Sequence, residues 1–70
     1  MVNIAVIKER IKETIKNSGI TQTQLAKLLF VSPSCVAHYV KGDILPSLDK
    51  FVELCVITET DPSYLLGLTD

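Results

Sequence analysis

Residues 20–42, ITQTQLAKLLFVSPSCVAHYVKG, carry two helix start signals and one stop in quick succession. Thr21 offers a capping hydroxyl and Gln24 follows three residues later, the reciprocal capping-box pattern. Leu25, Leu28 and Leu29 then recur at helical spacing, and Ala26 is small enough to admit a neighbouring helix closely. Ser32 followed by Pro33 is a second start: a capping hydroxyl, then a residue whose fixed φ suits the first helical position. Val36, Tyr39 and Val40 share a face at spacings of three and four, and Gly42 supplies a left-handed stop. The segment predicts two short helices, Gln22–Leu29 and Pro33–Lys41, joined by a tight turn.

The flanks read as support for that pair. Ile4, Ile7, Ile11 and Ile15 define one face of a first helix over 3–18, stopped by Gly19. Val2, Ala5 and Val6 lie off that face, and the alternation of Val2, Ile4 and Val6 leaves a short strand or a dimer contact open beside frayed residues. Residues 43–46 form a loop. Ser47 is expected to cap a fourth helix reaching Thr58, with Leu48, Phe51, Val52, Leu54 and Cys55 on its inner face. Asp61 and Pro62 start a short fifth helix ending at Gly67. Five short helices with brief connections make an all-α fold, here one domain over residues 1–70.

Seventy residues bury only about 60% of the unfolded chain's surface, so packing must be efficient or shared with a partner. The 47% apolar content supports a compact fold with some apolar surface to spare. No apolar run approaches the roughly 20 residues that span a bilayer. The N-terminal charges follow the apolar part, the reverse of a signal peptide. A cytoplasmic protein without membrane contact is expected, complete from Met1 to its compact ending. Cys35 and Cys55 stand far apart, which argues against a disulfide in a reducing compartment. With His38 as the single histidine, no closed zinc site can be assembled, so no metal and no cofactor is expected. The net charge of −1 hides an asymmetry: residues 1–41 hold six bases against two acids, whereas residues 42–70 hold one against six. Such a chain can turn a basic end toward phosphates and an acidic end away.

The pattern resembles the lambda-repressor-like, Cro-type family, also called the XRE family. Its motifs are matched by Thr21, Gln22, Leu25 and Ala26, then Ser32, Val36, Tyr39 and Gly42, then Pro46, Ser47 and Leu48, then Tyr64, Leu65, Leu66 and Gly67. Each piece is weak alone; four in order over nearly the whole chain are specific. The resemblance implies a compact five-helix domain whose helices 2 and 3 form a helix-turn-helix over residues 21–42. In that unit the second helix lies in the DNA major groove and the first crosses the backbone.

The family's base-contacting positions fall on Pro33, Ser34, Ala37 and His38. Ser34 suits any base, Pro33 and Ala37 suit a thymine methyl, and His38 is the candidate for a directional contact to guanine. His38 also admits a phosphate-facing or a packed structural reading. No Arg, Gln or Asn stands here for a bidentate pairing, which points to modest specificity or shape readout. Phosphate contacts fall on Gln22, Ser32 and Lys41, against the plainer readings of an exposed polar residue, a cap and a dipole-complementing lysine. Lys8, Arg10, Lys12 and Lys16 interleave with Glu9 and Glu13 and read as a solvated face. Cys35 is a lone thiol on the recognition helix, inert unless activated.

Four positions depart from the family. Phe30 replaces a left-handed glycine in the tight turn, where a bulky residue is costly. Glu59 replaces a glycine after the fourth helix, next to Thr58 in place of leucine. Asp43 replaces a frequent base, which subtracts a phosphate contact.

The expected function is sequence-specific binding of double-stranded DNA by a small transcriptional regulator, a repressor, acting as a homodimer on a palindromic operator. Tyr64, Leu66 and Leu68 are the candidate dimer surface, with Tyr64 and Leu65 equally open to core packing. The alternative is a protein-interaction module on the same fold: an antitoxin, antirepressor or adaptor with a protein partner. Nothing in the chain assembles catalytic groups, so no enzyme is expected.

Overall fold

A computed structural model describes residues 2–69. Five helices follow in order: α1 Ile4–Asn17, α2 Gln22–Leu29, α3 Pro33–Lys41, α4 Leu48–Thr58 and α5 Pro62–Leu65. No strand occurs among the described residues, so the alternation of Val2, Ile4 and Val6 does not form one. Instead the Asn3 side chain caps α1, accepting from the Val6 N–H at 3.3 Å.

Each start signal forms as a physical cap. Thr21 Oγ1 accepts from the Gln24 N–H at 3.1 Å, and Gln24 Oε1 accepts from the Thr21 N–H at 3.3 Å. Two otherwise orphaned amides are thereby satisfied. Ser32 Oγ accepts from the Cys35 N–H at 3.1 Å, with Pro33 in the first turn of α3. Ser47 differs. It makes no side-chain cap on α4; its hydroxyl donates to Asp49 Oδ1 at 2.6 Å and holds that carboxyl below its ordinary pKa.

The core gathers Ile7, Ile11 and Ile15 of α1, Leu25, Ala26 and Leu29 of α2, and Val36 and Tyr39 of α3. Phe51, Leu54 and Cys55 of α4 and Leu65 of α5 complete it. α3 is packed against both α1 and α2, so the helix that carries the candidate readers is braced from two sides. No buried side-chain polar atom among the described residues lacks a partner, as a well-ordered interior requires.

Three expectations for the apolar faces need correction. Ile4 is 46% exposed, because α1 begins one turn before its stripe meets the core. Leu48 and Val52 do not lie on the inner face of α4; they are 80% and 51% exposed. α4 is apolar on nearly all sides, so periodicity did not select a single stripe, and the core takes the Phe51, Leu54 and Cys55 side.

Both missing glycines are met by strain rather than by another path. Phe30 takes a left-handed conformation, φ 58° and ψ 44°, and Glu59 does the same at φ 53°. At Phe30 the turn closes through the Phe30 N–H to Lys27 C=O, 3.3 Å, and the Val31 N–H to Ala26 C=O, 3.0 Å. The equivalent bonds after α4 run from Glu59 to Val56 and from Thr60 to Cys55, so that helix ends cleanly. Each left-handed non-glycine residue costs roughly 1–2 kcal/mol. Phe30 recovers little of this by packing, since it is 86% exposed.

Tyr39 supplies a test of burial. It is 4% exposed, and its hydroxyl is raised from 10.0 to about 12, by burial first and then by the Cys35 thiol and Asp49. The folded state therefore keeps a proton that the unfolded chain releases between these values. The contribution of Tyr39 to stability is complete below pH 10 and is lost as pH rises toward 12. Urea midpoints measured from pH 9 upward should fall more steeply in the native chain than in Tyr39→Phe. Parallel curves would contradict the buried phenol.

Candidate nucleic-acid interface

α3 divides its residues by face. Val36 and Tyr39 are buried, whereas Pro33, Ser34 and Lys41 are exposed and Ala37 and His38 are half-buried. The four candidate base readers thus share one solvent-facing side within the first two turns. Gln22 is exposed at the start of α2, and Ser32 sits just before α3. Both stand at helix N-termini, where free amides and the helix dipole favour a phosphate. Ser32 is already the cap of α3, so an anion there would share its hydroxyl. Lys41 occupies the opposite end of α3.

His38 is held by Asp43, a residue expected only to subtract a phosphate contact. Its Nδ1 donates to Asp43 Oδ2 at 2.9 Å, with the two side chains 45% and 53% exposed. The link follows from the helix stop. Gly42, at φ 82°, turns the chain back, and the Asp43 N–H donates to the His38 carbonyl at 3.1 Å. Asp43 therefore orients the ring of His38. With Nδ1 engaged by Asp43, Nε2 is the ring nitrogen that remains to meet another group.

Two further bases differ from the solvated-face expectation. A Cβ placed on Gly42 would lie 3.6 Å from Lys8 Cδ, so the Lys8 stem passes close to the end of α3. That adds a base to the Lys41 end of the motif. Arg10 turns the other way: its Nη1 donates to the Tyr64 carbonyl at 2.7 Å and the Thr69 carbonyl at 2.6 Å. Its guanidinium carbon lies 4.3 Å from the Tyr64 ring centroid.

The remaining candidates sort by exposure. Leu66 and Leu68 are 40% and 72% exposed and line a cleft of about 430 Å³ with Val2, Asn3, Val6, Arg10 and Gly67. Tyr64 is half-buried against Arg10, and Leu65 is fully buried, which takes it out of the dimer surface. Cys35 and Cys55 are free thiols; Cys35 is half-buried on α3, while Cys55 is in the core, where burial raises its pKa. No cluster of metal-ligating side chains occurs among the described residues. No described helix is long and apolar enough to cross a membrane.

Five helices with α2 and α3 as a capped pair around a tight turn define a lambda-repressor-like fold. The profile of the helix-turn-helix family matches residues 11–65, and the chain belongs to that family, in its XRE branch. Among solved structures, the SOS-response transcriptional repressor LexA from Eubacterium rectale is similar at TM-score 0.79 and 28% identity. That likeness covers 90% of this chain and 67% of the LexA chain. The P22 c2 repressor, crystallised with synthetic operator 9T in the presence of Tl+, is similar at TM-score 0.75 and 26% identity. It covers 87% of this chain and 92% of the repressor chain. No curated protein sequence matches significantly.

Proposed function

We propose that this chain is a sequence-specific double-stranded DNA-binding regulator, a transcriptional repressor of the cytoplasm, with α3 in the major groove of a palindromic operator. The observation that carries the reading is the division of α3. Val36 and Tyr39 anchor it to the core, while Pro33, Ser34, Ala37 and His38 stand together facing solvent. The likeness to a repressor crystallised on its operator supports the same docking. In this reading Gln22, Ser32 and Lys41 bind phosphates, assisted by Lys8, and Asp43 aims His38 at a base edge. Two copies joined along Leu66 and Leu68 place the recognition helices in half-sites about 34 Å apart. A second reading, a module that binds another protein, draws on the exposed Phe30.

Selection of bound sequences from a random duplex pool at low salt tests the reading. A palindrome should emerge. Gln22→Ala should weaken all duplexes alike, whereas His38→Ala should change preference at one position per half-site, at about 1–3 kcal/mol. Asp43→Asn, which weakens the bond that holds the His38 ring, should soften the same preference. No enrichment at about 50 mM salt, where phosphate contacts are strongest, would remove the DNA reading.

A further inference from the structure

The contact between His38 and Asp43 fixes more than the direction of the ring. An ionised carboxylate accepts hydrogen bonds and has no proton to give. The hydrogen in the 2.9 Å bond between His38 Nδ1 and Asp43 Oδ2 therefore sits on Nδ1. A neutral imidazole carries one such hydrogen, so Nε2 keeps a lone pair and no N–H. The arrangement is set by the backbone rather than by a chance meeting of two side chains. Gly42 ends α3 at φ 82°, and the Asp43 N–H then donates to the His38 carbonyl at 3.1 Å. The carboxylate is thereby returned to the ring one turn behind it. Pro33 and Ala37, on the same side of α3, bring no polar side-chain group, and Ser34 both donates and accepts. The directional choice at this surface falls on one nitrogen.

Resting on the placement of α3 in the major groove, we infer that His38 reads its base by accepting a hydrogen bond at Nε2 from the exocyclic amine of cytosine or adenine. Only cytosine N4 and adenine N6 present donors in that groove; guanine offers O6 and N7, and thymine O4, all of them acceptors. Against Nε2 an acceptor sets lone pair to lone pair. A histidine without Asp43 has no such bias, because it can exchange tautomers and offer guanine an N–H. Asp43 is thus a positioning residue: it touches no base in this scheme, yet it decides which kind of base edge His38 accepts. The guanine contact expected for His38 alone is reversed by its neighbour.

Two measurements test it. Long-range proton–nitrogen NMR of the free chain at about pH 8, above the ordinary imidazole range, reads the tautomer without DNA. The hydrogen should be on Nδ1 and absent from Nε2. In Asp43→Asn, whose amide can accept from Nδ1 or donate to it, the two nitrogens should move toward each other. Binding is then measured on the selected operator at the position where His38→Ala alters preference. One duplex there lacks the exocyclic amine (purine for adenine, or 2-pyrimidinone for cytosine), and another carries 7-deazaguanine wherever that pair holds guanine. Loss of the amine should weaken the native chain by about three- to tenfold and leave His38→Ala unmoved. Loss of guanine N7 should change neither. Asp43→Asn removes a negative charge and should tighten every duplex alike, but the penalty for the missing amine should shrink. A hydrogen on Nε2 of the native ring overturns the inference. So does a penalty that follows guanine N7 rather than the amine, or one that Asp43→Asn leaves intact; in each case operator selection still stands. A random pool without enrichment removes the DNA reading, and this inference with it.

Discussion

Leu25→Ala is expected to lower stability by about 3 kcal/mol. Leu25 is fully buried in α2, directly after the capping box, within the core shared with α1, α3 and α4. Removing its side chain loses the transfer energy and leaves a cavity that short, mutually braced helices cannot close. For a domain of 70 residues the whole stability is about 4–10 kcal/mol. The substitution thus removes roughly a third of it or more, and should lower Tm by about 12–24 °C. Leu28→Ala, three residues on and 51% exposed, should cost less than about 1 kcal/mol. Calorimetry on the pair checks the assignment. Equal losses would mean that the inward stripe of α2 has been misplaced.

Leu25 and Leu28 also show where the sequence is legible. Both fit helical periodicity, but the bonds that orient α2 are set at its ends. The Thr21–Gln24 box and the Ser32–Pro33 start are readable because each is a contact between residues three apart or fewer. Local chemistry settles such features whatever the tertiary packing does. α4 was not readable in this way, since Leu48, Phe51, Val52, Leu54, Cys55, Val56 and Ile57 leave scarcely any polar side to mark solvent. Only packing against α2 chooses Phe51, Leu54 and Cys55.

The site shows the same division. The solvent-facing side of α3 followed from Val36 and Tyr39 being apolar and three apart. Asp43, read as a lost phosphate contact, is the partner of His38. The signal was present in Gly42: a left-handed residue there folds residue 43 back on the last turn of α3. Phe30 was marked by its chemistry, and the structure places it at the costly left-handed conformation without displacing the turn. Arg10 had no local signal at all, because its partners lie 54 and 59 residues away in sequence.

That long-range contact leads to the second large effect. Arg10→Met, which keeps the apolar stem and removes the guanidinium, should cost about 2 kcal/mol. One Nη1 bonds two backbone carbonyls, Tyr64 at 2.7 Å and Thr69 at 2.6 Å, while the guanidinium lies over the Tyr64 ring. A charged donor to a carbonyl contributes roughly 1.5–3 kcal/mol when sheltered and less when wet, and the Thr69 bond is exposed. α5 is only four residues long and cannot hold itself as an isolated helix. It depends on Leu65 in the core and on this clamp. Hydrogen exchange in Arg10→Met should therefore accelerate most at the amides of Leu65 to Leu68, and less in α2 and α3. Arg10→Lys keeps the charge but loses the planar fork that lies on the ring, and should fall between. Lys16→Met, which neutralises an exposed base on the same helix, should change Tm little. If Arg10→Met behaves like Lys16→Met, the C-terminal segment is held by Leu65 alone. If it releases residues 65–68 as expected, Leu66 and Leu68 are set in place by α1, and the proposed edge between protomers depends on Arg10.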